Sequence, residues 1–265
     1  MNPYILANKQ AWNLLAKDHY IEFKRRYSLR DNLLSPDIIK ELGDIHGKSL
    51  IHLQCNTGSD TLSLSRLGAK VTGVDIAPDN IVYAKKLFED FKTEGSFIEA
   101  DIMELNELHF KKYDIVFTSE GAIGWLPDFN KWALTIKNLL NPGGFFYLYE
   151  IHPFFLMFDE DQFPKQVLDL KYPYFGREMD KSETIGGYAA QNRQGESYYW
   201  MYSISDVVNA LIQAGLTIEF INEFDHLCYN AGEMKETAIG EYQFEKWMGK
   251  MPLMFSIKAT LQNKS

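Results

Sequence analysis

The sequence predicts an α/β protein built around a doubly wound, seven-stranded and mostly parallel sheet. Over the middle of the chain, short segments that are apolar throughout alternate with segments of helical periodicity. Strands that are apolar on both faces need cover on both sides, which is typical of parallel sheets in α/β proteins. Right-handed crossovers between successive strands then lead to the doubly wound arrangement. We expect a single domain over residues 1–265.

The N-terminal segment, to about residue 45, is predicted to form a helical cap. Apolar residues recur at steps of three and four from residue 9 to about residue 30, which indicates an amphipathic helix. A second helix is expected to begin with Ser35 as its N-cap and Pro36 in the first helical position. Gly43 and Gly47 mark its end.

Five strands and the helices between them are predicted over residues 49–151. The strands span residues 49–53, 70–74, 96–99, 113–118 and 145–151. The helices cover residues 60–67, a segment from Pro78 through Phe91, and residues 131–140, where Asn141-Pro142-Gly143-Gly144 ends the last of them. In such a sheet, ligands bind at the carboxyl ends of the strands.

Residues 153–202 interrupt this pattern. The segment is dense in aromatic residues mixed with acidic residues and glycine, and we interpret it as an insertion that covers the substrate. Aromatic rings there provide apolar walls and favourable contacts with a cation. After it, a helix over 205–214 with Ser205 as N-cap and strands over 217–222 and 253–260 complete the predicted sheet.

The composition disfavours several classes of function. The chain has 27 Lys and Arg against 36 Asp and Glu, a net charge of −9, which argues against a general nucleic-acid binder. Cys55 and Cys228 show no paired spacing and the histidines no ligand spacing, so no disulfide framework and no metal are expected. The sequence has neither a long apolar run nor a signal-like N-terminus, so we expect a cytoplasmic protein without a membrane partner. The oligomeric state is left open.

The most informative segment connects the first predicted strand to the following helix. A strand that turns tightly into a helix leaves backbone N–H groups free to meet a ligand, and Gly58 allows close backbone approach. Asp75 closes the second strand, where a carboxylate can accept hydrogen bonds from the hydroxyl groups of a ribose. Asp101 closes the third strand, close to where an adenine amino group would lie.

These segments resemble the class I S-adenosylmethionine-dependent methyltransferases, whose fold is Rossmann-like. The positions that correspond to the family's first motif, an acidic residue followed by Gly-x-Gly-x-Gly, are His52, Gln54, Asn56 and Gly58. Asp75-Ile76 looks like the family's ribose-binding site, and Asp101-Ile102 like its adenine-contacting pair. The resemblance implies S-adenosyl-L-methionine as cofactor and methyl transfer as the reaction.

Candidate catalytic residues lie where the fourth and fifth predicted strands end, beside the expected position of the sulfonium. Glu120 is a candidate for orienting the substrate or stabilising positive charge, and His152 for accepting a proton. Ser119 is placed beside the cofactor, and an aromatic of the first helix, Trp12 or Tyr20, is a candidate cover for its methionine moiety. The length and acidity of the insertion favour a small-molecule acceptor.

The same residues also have structural interpretations, and other functions stay open. The structural alternatives are helix or turn caps for Asp75 and Asp101, core packing for His52, Trp12 and Tyr20, and structural hydrogen bonds for Glu120 and His152. Because two motif glycines are replaced, a non-catalytic adenosyl-binding or interaction protein of the same fold stays possible. An NAD(P)-dependent oxidoreductase is also compatible with Asp75, although its fingerprint requires glycines at Gln54 and Asn56.

Overall fold

The chain begins with two helices and then alternates between strands and helices. The computed structural model describes residues 2–187, 189–238 and 240–262. The elements up to residue 151 are α1 (Pro3–Tyr27), α2 (Pro36–Leu42), β1 (Ser49–Leu53), α3 (Ser59–Arg66), β2 (Lys70–Asp75), α4 (Pro78–Asp90), β3 (Ser96–Glu99), α5 (Leu105–Leu108), β4 (Tyr113–Ser119), α6 (Phe129–Leu139) and β5 (Leu140–Ile151).

The second part of the chain adds two hairpins and the last strands of the main sheet. Its elements are α7 (Pro153–Leu156), β6 (Met179–Gly187), β7 (Ala190–Trp200), α8 (Ile204–Gln213), β8 (Thr217–Phe224), β9 (Lys235–Ala238), β10 (Glu241–Gln243) and β11 (Met254–Thr260). Short 3-10 turns occupy Ile123–Trp125, Glu160–Lys165 and Glu245–Trp247. None of the helices in the described part of the chain is long and apolar enough to cross a membrane.

The main sheet has seven strands in the order β3-β2-β1-β4-β5-β11-β8. The pairs from β3 to β5 are parallel, and β11 runs antiparallel to both β5 and β8. The chain reverses its strand order between β1 and β4, so a crevice opens at the carboxyl ends of these two strands. The predicted doubly wound, mostly parallel sheet is confirmed.

Both faces of this sheet are covered, as the apolar strands require. On β1, Leu50 and Ile51 are fully buried but belong to separate hydrophobic clusters, because successive residues of a strand point to opposite faces. One cluster contains Trp132 of α6 and Leu211 of α8, and the other contains Ile38 of α2. The helical cap therefore packs on the face opposite α6 and α8.

Helix α1 and the β6–β7 hairpin, which lies within the predicted insertion, pack against each other. The buried Asn8 side chain donates through Nδ2 to the carbonyl oxygen of Tyr198 at 2.8 Å and accepts the Tyr198 N–H through Oδ1 at 2.7 Å. Trp125, just after β4, contacts Trp12 of α1 and Tyr199 of β7 edge-on, at ring distances of 5.1 and 5.3 Å. These contacts place the hairpin beside the carboxyl edge of the sheet, where the insertion is predicted to cover substrate.

Some boundaries differ from the sequence prediction for identifiable reasons. Helix α1 begins at Pro3, because the Asn2 side chain accepts the Tyr4 N–H and caps it ahead of the apolar periodicity. Helix α8 is capped by Ser203 rather than Ser205, since Ser203 and Asp206 form a reciprocal capping box. Strand β5 begins at Leu140 instead of 145, and α5 and the β9–β10 hairpin are not predicted.

Candidate active site

A cavity opens at the carboxyl ends of the central strands. Counting the part open to solvent, it encloses about 940 Å³, which is within the range of small-molecule sites. Its walls are formed by residues of helices α1 and α3, of the β1–α3 turn, of the ends of β2 and β4, and of the segments that follow β2, β3 and β4. Most of the predicted cofactor-binding residues line it: His52, Gln54, Asn56, Asp75, Ile76, Asp101, Ile102 and Ser119.

The turn between β1 and α3 keeps the backbone shape of a glycine-rich loop. Gln54, Asn56 and Gly58 have φ angles of 57°, 49° and 79°, all in the left-handed region that favours glycine. Gly58 also meets a steric limit, because a Cβ there would lie 3.0 Å from the Ala84 Cβ. Gln54 and Asn56, which stand where the motif has glycine, therefore add side chains to the turn but keep the left-handed backbone conformation that glycine favours.

Hydrogen bonds hold the two non-glycine residues of this turn in their left-handed conformation. Gln54 Nε2 donates to the carbonyl oxygen of Ala122 at 2.7 Å, which ties the turn to the segment after β4. Asn56 Oδ1 accepts the Thr57 N–H at 2.6 Å and lies 3.1 Å from His19 Nδ1. The Asn56 N–H donates to Asp75 Oδ2 at 2.8 Å.

Asp75 occupies the end of β2 and braces the surrounding backbone. Its Oδ1 accepts the Ala77 N–H at 2.9 Å and Asn80 Nδ2 at 3.0 Å, at the start of α4. Burial raises the pKa of the Asp75 carboxyl, while these N–H donors act in the opposite direction. The helix-capping interpretation of Asp75 thus describes its present contacts. Since each carboxylate oxygen can accept two hydrogen bonds, Oδ2, which accepts Asn56, retains capacity for a ribose hydroxyl.

Asp101 and two isoleucines line the cavity beyond Asp75. Asp101 Oδ1 accepts the Met103 N–H at 2.9 Å, and burial raises the pKa of this carboxyl. Ile76 and Ile102, which follow the two aspartates, provide apolar surface in the same part of the cavity. This pairing of a carboxylate with an apolar wall suits a nucleoside, and the adenine contact of Asp101 stays a prediction.

His52 and Ser119 form a buried polar layer beneath the cavity. His52 Nδ1 lies 2.9 Å from Thr61 Oγ1 and Nε2 lies 3.4 Å from Ser119 Oγ. Burial lowers the pKa of His52 to about 3, so its imidazole is neutral at physiological pH. Ser119 Oγ donates to Asp60 Oδ2 at 2.6 Å, which brings a carboxylate missed by the sequence prediction to the cavity wall.

Glu120 is the candidate catalytic residue that the structure places in the cavity. Its half-buried carboxylate accepts a hydrogen bond at Oε2 from the Cys228 thiol, with 2.6 Å between Oε2 and Sγ. Burial, together with the negative charges of Asp60 and Glu150, raises the pKa of Glu120 to about 8. A carboxyl group in this range exchanges its proton near neutral pH, as a general base requires.

Glu150, at the end of β5, organises the backbone after Glu120. Its fully buried carboxylate accepts the N–H groups of residues 121, 122, 123 and 151 at distances between 2.5 and 3.0 Å. Burial raises the pKa of this carboxyl despite the four donors. No sequence motif signals this role, because the donors are backbone groups of a turn that touches β5 only in the folded chain.

Three predicted site residues do not line the cavity: Gly58, His152 and Tyr20. His152 Nδ1 accepts the Phe154 N–H at 3.0 Å and caps α7, and its Nε2 lies 3.0 Å from Glu223 Oε1. The Tyr20 hydroxyl donates to Asp90 at 2.5 Å, and its ring stacks on Tyr83 of α4. Within the described residues the side chains of His152 and Tyr20 do not line the cavity, whereas Trp12 does, and the covering of the cofactor by Trp12 stays a prediction.

Comparison with known proteins identifies the family to which this site belongs. A family model described as a methyltransferase domain matches residues 51–146, the stretch from β1 into β5 that carries most of the cavity. Over these residues the sequence match and the strand order of the sheet support a class I S-adenosylmethionine-dependent methyltransferase domain. S-adenosyl-L-methionine is the methyl donor of this family, as the sequence resemblance implies.

Curated relatives match either most of this chain or less than half of it. An uncharacterized protein of Haemophilus influenzae is 22% identical over 222 residues, which cover 78% of this chain and 84% of the relative. A ubiquinone biosynthesis O-methyltransferase of Hydrogenovibrio crunogenus is 27% identical over 43% of this chain. A demethylmenaquinone methyltransferase of Lactococcus lactis is 33% identical over 40%. This chain spans 46% and 43% of the lengths of these two methyltransferases.

Solved structures agree on the fold. A candidate S-adenosylmethionine-dependent methyltransferase from Listeria monocytogenes superposes with a TM-score of 0.60 at 19% identity, covering 86% of this chain and 97% of that one. At this level of identity the match concerns the fold alone. The fold class expected from the sequence is thereby confirmed.

The residues of the cavity fit the cofactor of this family. Gln54 Oε1 is buried and has no hydrogen-bond partner within the described residues, so the β1–α3 turn offers an unused acceptor. An acceptor of this kind suits the ammonium of a methionyl group, while Asp75 offers capacity for ribose hydroxyls. Ile76 and Ile102 supply the apolar surface that an adenine ring requires.

Proposed function

We propose that this protein transfers the methyl group of S-adenosyl-L-methionine to a small molecule whose attacking atom carries a proton. The observation that carries the proposal is Glu120, a carboxyl group at the cavity wall with a pKa raised to about 8. The sulfonium methyl is already activated, so a methyltransferase needs an acid–base residue only for an acceptor that must lose a proton. A hydroxyl, thiol or protonated amine meets this description.

The small size of the acceptor is supported by the cavity and by the relatives. The cavity is bounded by α1 and by Trp125, which contacts the β6–β7 hairpin, so it suits an enclosed ligand better than an extended polymer. Its lining includes Asp60 and Asp75 and, among the described residues, neither Lys nor Arg, so it offers no positive charge to a nucleic-acid backbone. The relatives named as a ubiquinone biosynthesis O-methyltransferase and a demethylmenaquinone methyltransferase support a small-molecule acceptor.

In this mechanism the chain positions its ligands and moves one proton. Bound cofactor supplies the electrophilic methyl group. Asp75 and the β1–α3 turn orient the nucleoside and methionyl portions, and the preorganised geometry provides most of the rate enhancement. Glu120 takes the acceptor's proton on a carboxylate oxygen, and the Cys228 thiol, which donates to Oε2, leaves Oε1 as the receiving atom. Glu150 keeps residues 121–123 in place beneath the acceptor.

Titration calorimetry provides the first test. S-adenosylmethionine and S-adenosylhomocysteine should release or absorb heat with one site per chain, and NAD(H) should give none. Heat with NAD(H) alone would establish an oxidoreductase instead. Binding of S-adenosylmethionine without methyl transfer to any member of a panel of phenols, quinols, thiols and amines would favour the non-catalytic adenosyl-binding protein.

The role of Glu120 is tested with a matched pair of variants. Glu120→Gln should keep S-adenosylhomocysteine affinity and lose about 10²–10⁴-fold in methyl transfer, the usual contribution of a general base. Glu94→Gln, at an exposed glutamate, should leave both unchanged. Full activity of Glu120→Gln on the best acceptor would show that the base lies elsewhere.

A further inference from the structure

A second cluster of ligand-type side chains lies outside the cavity. Asp37 in the first turn of α2, His226 just after β8 and Glu241 in β10 each offer one ligand atom, and these atoms all lie within 4.8 Å of one another. His226 Nε2 is 2.8 Å from Asp37 Oδ2. The sequence prediction of no metal rests on spacing along the chain, whereas these three residues come from segments far apart in sequence.

The charge of this cluster is unbalanced. His226 is only 9% exposed and Asp37 and Glu241 are half-buried. Among the ion pairs of the described residues, neither carboxylate has a Lys or Arg partner, and Asp37 pairs only with His226. With a neutral imidazole the cluster carries two negative charges in a partly desolvated place, which is costly unless a cation is present. The cation is either a proton on His226 or a metal ion.

The donor set is one that divalent transition metals prefer. One imidazole nitrogen and two carboxylate oxygens, with water in a fourth position, suit Zn²⁺ and related first-row ions. In a tetrahedral site with bonds of about 2.0–2.1 Å, ligand atoms lie roughly 3.3 Å apart. His226 Nε2 and Asp37 Oδ2 lie 2.8 Å apart, closer than this, and all three ligand atoms lie within 4.8 Å of one another, so a metal ion would replace the direct contact between His226 and Asp37. On the other side of the ring, Asp225 Oδ1 lies 3.8 Å from His226 Nδ1, too far for a hydrogen bond but close enough to add negative charge beside the imidazole.

We propose that Asp37, His226 and Glu241 form a binding site for a divalent first-row transition metal that joins α2 to the segment after β8 and to β10. Leu227 and Tyr242 exchange two backbone hydrogen bonds of 2.8 Å beside this cluster. Leu227 is followed by Cys228, whose thiol donates a hydrogen bond to Glu120. A bound metal would therefore hold the segment that carries Cys228 in place at the rim of the cavity.

The test uses the full chain without an affinity tag, treated with a chelator and then transferred to chelator-free buffer. Calorimetric titration with ZnCl₂ should give one site per chain. Loss of an outer-shell partner alone costs about 10–100-fold in metal affinity, so Asp37→Asn, His226→Gln and Glu241→Gln should each weaken binding at least about tenfold. The matched controls alter exposed residues of the same types: Asp44→Asn, His46→Gln and Glu245→Gln. These three variants should bind Zn²⁺ as tightly as the unaltered chain.

Thermal unfolding gives a second measurement. Zn²⁺ should raise the Tm of the unaltered chain and of the controls, because it binds the folded state, and should have little effect on the three ligand variants. Absence of Zn²⁺ binding, or equal binding by Glu241→Gln and by Glu245→Gln, would overturn the proposal. Should His226→Gln fail to fold, Glu241→Gln decides alone, since it alters only a half-buried side chain.

Discussion

The role of Glu150 yields a prediction whose size follows from its contacts. In Glu150→Gln, one carboxylate oxygen becomes an NH₂ group that cannot accept a hydrogen bond. Each oxygen now accepts two backbone N–H groups, Oε1 those of residues 121 and 151 and Oε2 those of residues 122 and 123. Whichever way the amide turns, two buried N–H groups face another donor.

An unsatisfied buried donor costs about 1–3 kcal/mol, which gives roughly 2–6 kcal/mol for two of them. The neutral amide is easier to bury than a carboxylate, and this opposes part of the loss. We therefore expect Glu150→Gln to lower the free energy of unfolding by about 2–4 kcal/mol. Urea denaturation followed by circular dichroism measures this free energy. The control is Glu183→Gln, because the Glu183 side chain is 74% exposed. Its free energy of unfolding should lie within about 0.5 kcal/mol of that of the unaltered chain. A loss below about 1 kcal/mol for Glu150→Gln would refute the proposed network.

Three further predictions concern the cavity. Gly58→Ala should lower the free energy of unfolding by about 1–3 kcal/mol in urea denaturation, because φ of 79° and the 3.0 Å approach to Ala84 both oppose a Cβ; an unchanged value would contradict the turn geometry. Asp75→Ala should weaken S-adenosylhomocysteine binding by about 1.5–3 kcal/mol in calorimetry, with the exposed Asp79→Ala as control, and an unchanged affinity would place the ribose elsewhere. The kcat/KM for methyl transfer should rise about tenfold per pH unit below about 8 and level off above it, because Glu120 accepts a proton only when ionised; a profile that falls with pH would exclude it as the base.

The sheet and the cofactor side of the site were predictable because they depend on local signals. The bounds of β1 and β3 agree with the prediction, since continuous apolar runs between helical segments mark buried parallel strands. The positions of Asp75 and Asp101 follow from where their strands end. Capping is equally local, yet Ser203 and Ser205 are both plausible N-caps, and only the reciprocal bond with Asp206 distinguishes them.

The acceptor side was not predictable, because it is assembled by contacts between distant segments. Cys228 meets Glu120 across 108 positions of sequence, and Asp60 meets Ser119 across 59. The raised pKa of Glu120 depends on this convergence, since burial and the charges of Asp60 and Glu150 cause it. His152 illustrates the converse case: it follows a strand that ends near the cavity, but its side chain caps α7 and turns to Glu223.

The turn between β1 and α3 shows what a glycine-rich motif encodes. A non-glycine residue in the left-handed region costs about 1–2 kcal/mol, yet Gln54 and Asn56 both adopt it. Two hydrogen bonds that glycine could not form, from Gln54 Nε2 to the Ala122 carbonyl and from the Thr57 N–H to Asn56 Oδ1, are each worth about 1 kcal/mol and offset much of that cost. The motif therefore specifies a backbone path, which glycine reaches without strain and which this chain reaches by added polar contacts. The same exchange leaves Gln54 Oε1 as a buried acceptor that glycine lacks, and we propose that this oxygen accepts a hydrogen bond from the ammonium of the methionyl group.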